Sequence, residues 1–110
     1  MLKLQPSDVF LHRNIGNLVH PSDISVMSAI DYAVVHVGVK RITICGHTNC
    51  GACNGALSHT KLGLLDTWLH PLRKLKAQNT LAPKDSEKLA ELSVHLSVET
   101  VRENANVKAS

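Results

Sequence analysis

The sequence predicts an α/β fold, a partial parallel sheet flanked by helices, and three observations carry that expectation. Val9, Phe10 and Leu11 form a short apolar run inside Asp8–Arg13, which reads as a buried strand. Lys40–Cys45 is a second run, rich in the β-branched residues Ile42, Thr43 and Ile44. Between them lies a stretch of helical period, long enough to cross from one parallel strand to the next.

Each element has local signals. Asn14-Ile15-Gly16-Asn17 breaks the first strand with turn residues. Pro21-Ser22-Asp23 opens a helix, with Ser22 as the expected N-cap. Met27, Ile30, Val34 and Val37 follow at helical spacing, and Val26, Ala29 and Ala33 widen the stripe. Gly38 is the expected C-cap. After Lys40–Cys45 comes a tight loop, Gly46 to Gly51, and a short helix is expected to begin near Cys50. Leu64–Leu75 has apolar residues at helical spacing with Pro71 inside the pattern, so the helix either kinks there or starts just before it. A polar, linker-like patch spans Ala77 to Lys88, and a final helix is expected from Leu89 to about Asn104.

With 110 residues, the chain has room for one small domain, 1–110, and not two. Hydrophobic residues make up 44%, enough for a core, but aromatics only 3%, so that core must be aliphatic. Twelve Lys and Arg stand against nine Asp and Glu. That excess is small and forms no basic stripe, so no nucleic acid partner is expected. No apolar run is long enough to span a membrane, and Met1–Pro6 shows no targeting peptide. Cys45, Cys50 and Cys53 fall within nine residues. An odd number packed so closely suits an intracellular, cytoplasmic metal or redox site better than a disulfide framework.

The chemistry concentrates in Cys45-Gly46-His47-Thr48-Asn49-Cys50-Gly51-Ala52-Cys53, which follows a strand and opens a helix. Strand ends of this kind are where ligands bind in open α/β sheets. His47 and Cys50 stand three apart across a glycine-framed turn, and imidazole and thiolate are ligands that zinc favours. A helix start also favours a thiolate at Cys50. Two rival readings stay open. Cys50-Gly51-Ala52-Cys53 is a C-x-x-C at a helix start, as in thioredoxin-like redox proteins, although the preceding order of elements differs. Cys45, His47, Cys50 and Cys53 could instead form a closed structural zinc clip. Cys45, on a strand, reads as a core residue, and Cys53 divides evenly between packing and function. His12, His20, His36, His59, His70 and His95 lack partners at ligand spacing and read as surface or satisfied histidines.

Ile44 to Gly51 resembles the second zinc half-site of the beta-class carbonic anhydrases. The run Leu4 to Val19, with Arg13-Asn14-Ile15-Gly16-Asn17, is similar to that family's second strand and its Arg-Asn-x-x-Asn turn. Ala29 to Val34 fits in spacing, and Trp68-Leu69, Arg73 and Ser97 to Val101 resemble later helices more loosely. The resemblance implies zinc-dependent reversible hydration of carbon dioxide to bicarbonate, a lyase reaction. It implies Zn2+ as cofactor, held by His47 and Cys50 with a further thiolate. It places Phe10, Ile15, Tyr32 and Gly51 around the carbon dioxide pocket. Zinc lowers the pKa of its bound water to about 7, and the hydroxide attacks carbon dioxide. The family's Cys-x-Asp-x-Arg segment belongs to a first, central strand preceding the matching part. That segment and a later strand are not in these residues, so no catalytic residue is assigned. The alternative to an enzyme is a non-catalytic remnant acting as an interaction module. The family's dimers imply a homo-oligomer or dimer, here through the apolar face of Met27, Ile30, Val34 and Val37 and through unpaired strand edges.

Overall fold

The computed structural model describes residues 9–109. Asp8, the opening residue of the expected first strand, the Leu4–Asp8 part of the matching run and the Met1–Pro6 start lie outside the described residues.

Helices form where the residues supply both a cap and an apolar stripe. α1 spans Ile24–Asp31. Its N-cap is Asp23 and not Ser22: the Asp23 carboxylate accepts a hydrogen bond from the Ser25 backbone N–H at 3.1 Å. Both residues are good caps by type, and the carboxylate wins because it lies within reach of the free amides of the first turn. α1 continues through a wider π-type turn, Tyr32–Val37. Gly38 ends it as expected, in the left-handed conformation (φ 77°), with its N–H donating to the Ala33 carbonyl at 2.9 Å.

α2 spans Gly51–Leu57, with Cys50 at its N-cap position, so it begins where the sequence puts it. α3 covers Leu64–Trp68 and α4 covers His70–Asn79. The two are separated at Leu69 (φ −83°, ψ 1°), and Pro71 sits in the first turn of α4. A proline there gives up no hydrogen bond, because first-turn amides have no helical partner. α5 spans Ser86–Arg102, starting three residues before the expected Leu89. A short α6, Ala105–Ala109, follows and was not anticipated. The Asn104 side chain starts it by accepting from the N–H groups of Asn106 and Val107.

Two aliphatic clusters hold these helices. The larger joins α2, α4 and α5 through Cys53, Ala56, Leu57, Leu69, Leu72 and Leu89, with Leu18 and Leu81 closing it. Fully buried leucines of this kind stabilise by roughly 1.5–3 kcal/mol each. On α5 the inward face runs Leu89, Ser93, Ser97, Val101, one residue per turn. The smaller cluster packs Val26 and Ile30 of α1 on Val101, with Met27, Val34 and Val107 against them. An Asn106 to Asp31 side-chain hydrogen bond of 2.8 Å ties α6 to α1.

The expected sheet is not there. Among the described residues no strand forms, and no backbone hydrogen bond joins the run ending at Arg13 to the run Lys40–Cys45. Both runs are unpaired. Val9, Phe10, Leu11 and Ile42 are exposed, Leu11 at 72%, and only Ile44 turns inward, against the smaller cluster. The reason is physical: a helix satisfies its backbone within itself, whereas a strand needs a neighbour on its edge. Without one, these runs form no ladder, and most of their side chains stay exposed. The face expected for self-association is corrected as well. Ile30 is buried with Val26 and Val101, Met27 and Val34 pack against that cluster, and of the four only Val37 is exposed.

Candidate metal half-site

The turn after the first extended run organises the site. The Asn14 side chain brackets this turn, donating to the Leu18 carbonyl at 2.7 Å and accepting from the Leu18 N–H at 2.8 Å. Gly16 (φ 77°) and Asn17 (φ 50°) take left-handed backbone inside it, and a Cβ at Gly16 would lie 3.0 Å from the Ala52 Cβ. The turn therefore packs directly on α2. From the same turn the Asn17 side-chain amide donates to the Cys45 carbonyl. The Trp68 indole N–H donates to the Ile15 carbonyl at 2.6 Å. Asn14, Asn17 and Trp68 thus fasten the turn to the Cys45–Cys50 loop and to α3. Sequence reasoning assigned these three no role, although both asparagines belong to the Arg-Asn-x-x-Asn pattern that it singled out.

His47 is exposed, and its Nδ1 lies 2.8 Å from the Thr48 carbonyl oxygen. A carbonyl can only accept, so Nδ1 carries the proton and Nε2 is left with its lone pair free for a metal. Cys50, three residues on, is buried at 8% exposure and holds a non-helical N-cap conformation (φ −78°, ψ 120°). Cys53, at 2% exposure, sits one turn into α2. Burial, then the nearby Cys50 charge and a hydrogen bond to Cys50, push the Cys53 thiol up to about 12. The folded chain therefore keeps this proton where the unfolded chain, at the ordinary value of 9.0, releases it. The associated stability is complete below that value and falls as pH rises toward about 12.

Cys45 is exposed and free, against the expectation of a core residue. The run it ends forms no strand, and the Cys45 side chain stays exposed. Among the described residues no group of three or more His, Cys, Asp or Glu side chains converges, so the four-ligand clip does not assemble. The other histidines behave as expected where partners are seen: His12 meets the Ser25 hydroxyl at 3.3 Å, and His20 meets the Trp68 carbonyl at 3.1 Å.

Of the four expected pocket residues, Phe10 and Tyr32 are in ring contact, with centroids 5.6 Å apart, and Tyr32 in turn meets His36 at 5.6 Å. Ile15 lines an open groove of about 820 Å³ together with Asn14, His20, Leu65 and Trp68. Gly51 opens α2 with free space where a Cβ would be.

A family model described as carbonic anhydrase matches residues 1–110. The backbone superimposes on the crystal structure of the beta-carbonic anhydrase CafA of Aspergillus fumigatus with a TM-score of 0.89 and 43% identity, over 94% of this chain and 53% of that one. The chain belongs to the beta-class carbonic anhydrase family. It is also similar to two tetrameric beta-carbonic anhydrases of Sordaria macrospora, at TM-score 0.90 and 38% identity over 96% of this chain and 58% of that chain. Among curated relatives, a carbonic anhydrase of Emericella nidulans is 41% identical over all of this chain and 51% of its own length. One from Candida albicans is 37% identical over 96% of this chain and 41% of its own. The chain thus spans about half the length of the carbonic anhydrases it matches. Among the described residues its extended runs form no ladder of their own.

Proposed function

We propose that this chain carries the His47–Cys50 half of a zinc site serving the reversible hydration of carbon dioxide to bicarbonate. One observation supports the reading above the rest: in a chain of this family, the Thr48 carbonyl holds the His47 Nδ1 proton and frees Nε2, three residues before a cysteine at a helix start. The donor types suit zinc. Their number does not close a site, because a catalytic zinc takes three protein donors and an open position. No catalytic step is assigned to these residues. Phe10 and Tyr32 supply an apolar wall suited to a small uncharged substrate, with Ile15 and Gly51 as the further pocket residues.

The residues 1–110 form part of one domain in this reading, and the cysteine usage suits an intracellular setting. The exposed side chains Phe10, Leu11, Tyr32, Val35 and Val37 favour a homo-oligomer, and they also suit a second reading in which the chain is a non-catalytic pairing module.

Zinc per chain and stopped-flow carbon dioxide hydration, measured on the same samples, separate the readings. The 110-residue chain is expected to hold zinc weakly, to lose it to a chelator and to show little hydration. A chain extended upstream by a strand bearing Cys-x-Asp-x-Arg is expected to hold one zinc and to hydrate carbon dioxide, with both lost on His47→Ala. Zinc and activity that survive His47→Ala rule the half-site out. Inactivity of the extended, zinc-loaded chain favours the pairing module.

A further inference from the structure

The loop that carries His47 is held at both of its ends. On one side Ile44 packs against the smaller aliphatic cluster, and the Cys45 carbonyl accepts from the Asn17 side chain. On the other, Cys50 is buried in the larger cluster at the start of α2. Between these anchors Gly46 makes a close approach to the middle of α5. A Cβ added at Gly46 would stand 2.7 Å from the Val94 Cγ2. Carbon atoms in contact prefer about 3.5–4.0 Å. The next atom such a Cβ would meet is the Ala90 carbonyl oxygen at 3.7 Å, an ordinary contact on the preceding turn of the same helix. Gly46 is not among the glycines with left-handed backbone, so space is what excludes a side chain there. One methyl group of Val94 sets that limit, and it does not step aside cheaply. A β-branched side chain in a helix keeps essentially one χ1 rotamer.

We propose that Val94 is a positioning residue for His47: its Cγ2 methyl, set against the bare backbone at Gly46, fixes how the ligand loop lies on α5. The loop's two ends are tied to the Asn14–Leu18 turn and to the core. A collision at Gly46 is therefore relieved along the loop itself, and the exposed His47 ring moves with it. A methyl group missing from position 94 acts in the opposite sense, because the loop then loses its floor. Val94 touches no metal and takes no part in chemistry; it acts through the placement of the loop. A metal is sensitive to such placement, since changes behind its ligands commonly cost about 10–100-fold in affinity. That consequence rests on the half-site reading; the seating of the loop on α5 does not.

The test is a size swap in the full 110-residue chain, read by NMR first without metal and then with zinc alone. The wild-type chain should show a nuclear Overhauser contact between the Gly46 α-protons and a Val94 methyl. Gly46→Ala should shift the His47 ring resonances and speed amide exchange from 46 to 49. Val94→Ala should speed the same amides. The double variant, Gly46→Ala with Val94→Ala, should return both readouts toward wild type, because the new methyl fills the space the old one left. A merely destabilising pair would add its effects instead. If Gly46→Ala alone does not fold, a double variant that folds with the wild-type His47 resonances shows the same compensation. No wild-type contact, or a double variant no better than Gly46→Ala, overturns the proposal. Titrated with zinc alone, Gly46→Ala should bind about tenfold or more weakly than wild type, with recovery in the double variant. Zinc binding that His47→Ala abolishes but Gly46→Ala leaves unchanged keeps the half-site and overturns the positioning role. Zinc binding untouched by His47→Ala overturns the half-site reading, while compensation in the metal-free spectra still upholds the seating of the loop by Val94.

Discussion

The helical body and the extended edge of this molecule come from similar apolar sequence, yet only one of them is finished. In the body, Leu57, Leu69, Leu72 and Leu89 are wholly buried. At the edge, Val9, Phe10 and Leu11 are exposed, Phe10 at 44%. Hydrophobicity does not separate them, since three apolar residues in a row are as greasy as any helix stripe here. Backbone bookkeeping does. α2, α4 and α5 close their own hydrogen bonds and present a ready apolar face to one another. The extended runs can bury side chains only if another strand first takes up their amides and carbonyls. The candidate metal residues sit on the seam between the two regions: His47 is exposed on the edge, and Cys50 is buried at the start of the body.

That contrast can be broken by substitution. The largest effect is expected in the body: Leu72→Ala should lower stability by about 2–5 kcal/mol in urea unfolding, through lost burial and a cavity. Its counterpart at the edge, Ile42→Ala, should change stability by less than about 0.5 kcal/mol. Equal effects at the two positions would show that the edge is packed in solution. At the seam, Gly16→Ala should cost about 1–2 kcal/mol, because left-handed backbone disfavours a side chain. A Cβ there would also lie 3.0 Å from the Ala52 Cβ, so that neighbour would have to give way. Loosening this turn should also weaken whatever metal binding His47 and Cys50 provide, which metal titration of the same variant would report. Next in size, Asp23→Ala should cost about 1 kcal/mol as the loss of a helix cap, and Ser22→Ala clearly less. The reverse order would restore Ser22 as the cap. The finest comparison is amide hydrogen exchange: the middle of α5 should be the slowest region and 40–45 among the fastest. Slow exchange along 40–45 would mean that a strand partner, such as a second copy, protects it.

Much of this was legible beforehand because it is local. Gly38 as a C-cap, the start of α2 at Cys50 and the break near Pro71 each depend on a few adjacent residues, and the structure has them. Ser22 against Asp23 was decided by which oxygen reaches the Ser25 amide, a distance that residue type cannot convey. The motif around His47 and Cys50 pointed to the family. The Asn17 and Trp68 hydrogen bonds that seat the neighbouring turn run between residues 28 and 53 positions apart, so no window along the chain reveals them.

Sequence by itself determined the family, the helix limits to within a few residues and the identity of the two metal-ligand candidates, since each is written in short-range pattern. Only the tertiary structure decided that the two β-rich runs form no sheet, that Met27, Ile30 and Val34 face inward, and that Cys45 is exposed while Cys50 and Cys53 are buried. The division follows from where hydrogen bonds close. A helix carries its partners within four residues. A strand and a buried face exist only once distant segments have been brought together.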